Sequence, residues 1–166
     1  MAEPLKYKVE KAISGFISTG SLSALSGWNH YQGQNPGTQS PPACVVYFES
    51  AKESFPNSMP KDCRVVVELV SSIDTDQDAD SIHSEATDRA TNWSNHRAAV
   101  QAVEARLQDL TTLQSYANSG NVVNRPVTGF YLYDIQEDGQ SSNIAQEQRM
   151  LISTISLTVV CEAQDN

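Results

Sequence analysis

Apolar residues recur along this chain with two different periods, and the order of those periods predicts the order of its elements. A spacing of three and four comes first, in Leu5, Val9, Ile13, Phe16 and Ile17. It predicts a helix from about Leu5 to Ser18, with Lys6, Lys8, Glu10 and Lys11 on the wet side and Gly20 as the stop. Two stretches of period 2 follow. Ala43 to Glu49 is almost continuously apolar, as in a strand covered on both sides. Lys61 to Ile73 alternates, with Cys63, Val65, Val67 and Leu69 on one face and Arg64, Val66, Glu68 and Val70 on the other. The helical period then returns in Trp93, His96, Val100, Val103, Leu107 and Leu110, with Thr91 or Ser94 as the cap and Gly120 beyond the end. Two more alternating stretches close the chain, Val127 to Ile135 and about Gln148 to Glu162, joined by an acidic, Gly-containing turn from Gln136 to Ser142. In the last strand Leu151, Ile155, Leu157, Val159 and Cys161 form the core-facing set, broken by Ser153. The order helix, strand, strand, helix, strand, strand predicts an α+β domain over residues 1–166, with an antiparallel or mixed sheet and the helices packed on one face.

Between these elements lie long polar stretches. Residues 21–42 are rich in Gly, Ser, Asn, Gln and Pro, and read as a loop or an extended arm with Trp28 and Tyr31 embedded in it. Structureless stretches of that length inside a small domain are uncommon and tend to be functional. With Phe55, which sits in the Pro-containing linker 50–60, these two aromatics are candidate interface anchors; the alternative is that they fold back over the sheet and close the core.

Composition narrows the function. At 166 residues the chain can bury one core, and 39% hydrophobic with 19% charged residues is an ordinary globular balance. A net charge of −9 argues against a protein that grips phosphates along nucleic acid. It suits a surface that repels DNA or meets a basic partner. No secretory signal and no membrane-length apolar run is visible, so no membrane association is expected. Cys44, Cys63 and Cys161 lie in apolar strand-like segments with no CxxC spacing, and read as small reduced core residues.

Candidate chemistry is sparse. Asp74, Asp76, Asp78 and Asp80 stand at alternate positions, with Glu85 twelfth from Asp74, a spacing that overlaps a calcium-binding EF-hand loop. Ala79 occupies the place where that loop needs Gly, and a strand rather than a helix precedes it. A solvated acidic turn that favours the next helix's start is therefore the plainer reading. His30, His83 and His96 are far apart, and His96 falls on an apolar stripe, which predicts a packed, hydrogen-bonded ring. No nucleophile elbow, activated cysteine or phosphate loop is present, so neither an enzyme nor a cofactor is expected.

Several segments taken in order resemble a known family. They are the amphipathic stretch Leu5-Lys-Tyr-Lys-Val-Glu-Lys-Ala-Ile13, then Pro42-Ala-Cys-Val-Val-Tyr-Phe-Glu-Ser-Ala51, then Val65-Val-Val-Glu-Leu-Val70 running into the acidic loop. His96-Arg-Ala-Ala-Val-Gln-Ala-Val103 and the closing Ile155-Ser-Leu-Thr-Val-Val-Cys161 complete the set. This pattern is similar to the tail terminator, or tail completion, proteins of long-tailed bacteriophages. The resemblance implies a virion protein of the tail or neck, assembled in the host cytoplasm. It implies a homo-oligomeric ring, a hexamer in that family, that caps the tail tube and stops its polymerisation. Its partners would be the tail tube protein and a head-completion or neck protein, with DNA only passing through the lumen. Asp74, Asp76, Asp78, Asp80, Glu137 and Asp138 would then be candidates to face the lumen or a neighbour. Another head–tail joining subunit and a small calcium-dependent binding module stand as alternatives.

Overall fold

In the computed structural model, residues 3–33, 42–53, 60–72, 82–121, 124–145 and 150–164 are described; of these, the side chains of 52–53, 82–90 and 143–145 are left aside. Three helices cover one face of a five-stranded mixed sheet. Helix α1 is Leu5–Ser18, α2 is Ile82–Gln108 and α3 is Leu110–Ala117. The strands are β1 (Asn29–Gln32), β2 (Ala43–Glu53), β3 (Lys61–Ser72), β4 (Phe130–Ala145) and β5 (Met150–Ala163), in the spatial order β1-β2-β3-β5-β4. Strand β1 runs parallel to β2, and every other pair is antiparallel. The α+β class with a mixed sheet is as the periodicity predicts.

Alternation decides which face is covered. Cys44 and Val46, then Cys63, Val65, Val67 and Leu69, then Ile155, Leu157, Val159 and Cys161 all point into one cluster with Phe16, Val103 and Leu113 of the helices. Burying each of these aliphatic side chains contributes roughly 1.5–3 kcal/mol. The opposite parity, including Val45, Glu68, Thr154 and Ser156, forms a face on which no described helix packs. All three cysteines are buried free thiols, as expected of them. Cys161 donates to Cys63 Sγ at 3.6 Å, and burial pushes the Cys44 thiol up to about 12.

Helix α1 corrects the first expectation. Its apolar stripe is where the spacing puts it, but Lys8 and Glu10 are buried rather than wet, at 2% and 7% exposure. Lys8 reaches across to donate from Nζ to the Gly129 carbonyl at 3.0 Å. Gly129 has φ +70°, a conformation that costs glycine little. The Glu10 Oε2 accepts the Phe48 N–H at 2.8 Å. Gly33 N–H bonds the Val46 carbonyl just past the end of β1, so Phe48 is the next β2 residue facing that side, and among the described residues no strand pairs with it there. A carboxylate from α1 takes that N–H instead. Glu10 satisfies a backbone N–H that the described strands leave open, and Lys8 shares the Gly129 carbonyl with the Gln164 N–H.

The long polar stretch 21–42 is also corrected in part. It holds a short 3-10 turn, Ser23–Leu25, and the edge strand β1. Asn-His-Tyr-Gln carries no apolar alternation, because this strand is held by backbone pairing at an edge. Helix α2 starts at Ile82, far ahead of the predicted cap, so Thr91 and Ser94 are interior. The stripe from Trp93 to Leu110 is in fact two helices. Asp109 breaks it and caps α3, accepting from Thr112 N at 3.3 Å and Thr112 Oγ1 at 2.6 Å. The predicted turn at 136–142 is strand. Register shifts at Tyr133 and Asp138 insert one extra residue each into β4, so its alternation changes phase twice and no simple period survives.

Candidate functional site

Trp28 and Tyr31 are half-buried. Trp28 packs at the edge of the core with its ring centroid 6.4 Å from that of His96. Tyr31 lies on β1 opposite Val45, on the uncovered face. Phe55 and the aspartates Asp74, Asp76, Asp78 and Asp80 lie outside the described residues, and Glu85 lies in α2 with its side chain outside them. His30 is exposed on β1, and His83 lies in α2. Among the described residues no group of three or more His, Cys, Asp or Glu is arranged to hold a metal ion. No described helix is long and apolar enough to cross a membrane.

The two remaining acidic candidates part company. Glu137 pairs with Leu157 and so faces the helices, where Gln108 Nε2 donates to it at 3.4 Å. Burial, and then a shared hydrogen bond with Glu137, raise the Glu104 carboxyl on α2 above its ordinary range. Asp138 is the bulged residue next in sequence, and its carboxylate accepts from Thr158 on the opposite face. Ordinary strand alternation leaves these two adjacent carboxylates on opposite sides of the sheet.

On the uncovered face, β4 and β5 carry a second polar group. Tyr133 donates to Glu162 Oε1 at 2.6 Å, and Gln164 Nε2 donates to the same oxygen at 2.9 Å. The bond to Glu162 and the carboxylate's charge push the Tyr133 phenol up to about 12. Arg125 Nη1 ties this end together, donating to the Phe130 carbonyl and to Gln164 Oε1. The rings of Tyr131 and Tyr133 stack 4.7 Å apart.

The covered face holds a cleft of about 350 Å³ between α2 and the β4–β5 hairpin. Trp93, Arg97, Val100, Glu104, Gln140 and Leu151 are among the residues that line it. Inside it, His96 Nδ1 bonds Ser71 Oγ at 2.6 Å and His96 Nε2 bonds Ser153 Oγ at 2.8 Å. Ser142 Oγ continues the chain to Ser153 at 2.8 Å. The apolar stripe predicted a packed, bonded His96, and Ser153 marked the one break in the β5 core set. The link between them is visible only in the fold. Burial lowers the His96 imidazole from its ordinary 6.5. The arrangement is a neutral hydrogen-bonded spine, with no carboxylate among its members to orient the ring as a base.

No family model matches the chain, and no curated protein matches it in sequence. Its fold is similar to that of a chain in the virion of a native gene transfer agent (GTA) particle, with a TM-score of 0.54 at 13% identity. The likeness covers 93% of this chain and 95% of that one.

Proposed function

We propose that this chain is a structural virion protein: a ring-forming tail terminator that caps the tail tube, stops its growth and joins it to the head connector. The observation that carries the reading is a shared fold over nearly the whole of two chains, one of them a component of a virion particle. Agreement along the full length means that the helical layer and the sheet are laid out alike, not merely one common motif. The net charge of −9 supports the same reading, because a lumen bearing carboxylates lets phosphates slide past. The work is recognition and geometry, without a reaction, and the partners are further copies of the chain, the tube protein and a neck protein.

A closed ring needs two different surfaces that meet around the circle. The sheet supplies distinct surfaces: the edge along β4, the short edge at β1, and the uncovered face between them. Asp138, on that face, is the described acidic candidate best placed for the lumen or a neighbour. Removing the gene from a particle-producing strain tests the role. Tubes of uncontrolled length are the expected result for a terminator; tubes of normal length lacking heads would point to another joining subunit and overturn it.

A further inference from the structure

The buried spine through His96 joins every layer of the molecule at one point. Helix α2 supplies the imidazole, β3 supplies Ser71, β5 supplies Ser153 and β4 supplies Ser142. We propose that this spine is an acid-sensitive latch, which holds α2 on the sheet while the ring is neutral and lets it go when the ring gains a proton.

The hydrogen-bond inventory shows why the neutral state fits. A neutral imidazole has one donor and one acceptor nitrogen, and a serine hydroxyl plays either role. Whichever nitrogen carries the proton donates to its serine, and the other accepts from the opposite one. Ser153 remains matched in both cases, because Ser142 can give or take the adjoining bond. The imidazolium has two donors and no acceptor. Both serines can turn to accept, but the positive charge then sits at 5% exposure with hydroxyls alone around it.

The neighbours give that charge little help. From α2, Arg97 and Glu104 line the same cleft; from β4 come Gln140 and Ser142, from β5 Leu151 and Ile152. The Trp28 ring closes the remaining side. Arg97 adds a like charge, with its guanidinium 5.4 Å from the centre of the Trp93 ring. Glu104 is eight residues further along the helix, about 12 Å away along its axis. It is also held protonated to higher pH than an ordinary carboxyl by burial and by Glu137, so it fades as a counter-ion when acid arrives. The 350 Å³ cleft beside the ring leaves water a route to the new charge once the helix shifts.

The direction of the pH effect follows from burial. His96 titrates below 6.5 in the fold, so the stability tied to its neutral ring is complete above 6.5 and is lost as pH falls through the folded value. One extra proton bound on opening means an opening constant that rises about tenfold per pH unit in that window. The test follows amide exchange of β5 and α2 in the intact chain from pH 7.5 to 5, with the His96 ring resonances recorded in parallel. Corrected for the fall of intrinsic amide exchange with falling pH, protection at Ser153 and its neighbours is expected to drop in step with the His96 titration, and His96→Gln is expected to flatten that response. Protection that stays constant through the His96 titration overturns the latch, as does a parallel loss of protection in His96→Gln. If His96→Gln does not fold, the wild-type ring decides: an ordinary or raised His96 pKa also overturns it.

Discussion

The two faces of one sheet obey different rules. On the covered face, Val65, Leu157 and Val159 are at or below 1% exposure, and polar atoms enter only when something specific meets them. Ser153 is there because His96 is opposite, and Glu137 because Gln108 and Glu104 are. On the uncovered face the same strands carry Tyr31, Glu68, Thr154, Ser156 and Thr158, with Val45 and Val66 screened by these neighbours. The covered face specifies the fold. The open one is left to whatever the molecule meets, and its residues are the sort that pair by hydrogen bonds rather than by apolar bulk.

This contrast breaks first where packing carries the load. Leu157→Ala, on the covered face, is expected to cost about 2–5 kcal/mol in urea unfolding, because the cavity adds to the lost transfer energy. Ser153→Ala in the same strand should cost about 1–3 kcal/mol, as His96 Nε2 is left buried without its partner. Lys8→Met keeps the aliphatic stem and leaves the Gly129 carbonyl its bond from the Gln164 N–H, so a smaller loss of about 0.5–1.5 kcal/mol is expected. Ser156→Ala, next to Leu157 but pointing the other way, should change stability by less than about 0.5 kcal/mol. If the Ser156 and Leu157 variants lost similar stability, the two faces would not differ as described.

The open face has a spectroscopic handle as well. The Tyr133 phenol is raised from 10 to about 12, so its neutral form is favoured in the fold. The stabilisation is present below pH 10 and lost as pH rises from 10 towards 12. Phenolate absorbance should therefore show Tyr133 titrating late, alongside the half-buried Tyr47 and Tyr116 phenols that are also raised, and Glu162→Gln should bring Tyr133 alone back towards 10.

Most of the fold is legible in the chain because most of it follows a simple period. The alternation of β3 and β5 and the stripe of α1 put Cys63, Leu157 and Phe16 where the structure has them. What escapes are places where a backbone need overrides the pattern. Lys8 and Glu10 look like solvated charges until the fold brings a carbonyl and an N–H within their reach. The second half of β4, from Gln136 to Ser142, looks like a turn because two bulges shift the strand's phase. Strand β1 is held by pairing alone, and a pairing partner cannot be read from four polar residues. The candidate site was readable as single residues, His96 and Ser153, but their meeting depends on the register of β3, β4 and β5.

The account rests above all on closure into a ring, and the mass of the purified chain in solution, with negative-stain images of the same sample, tests that most directly. Closed rings of about six copies are the predicted result. A monomer at every concentration, with no rings on the grid, would contradict it.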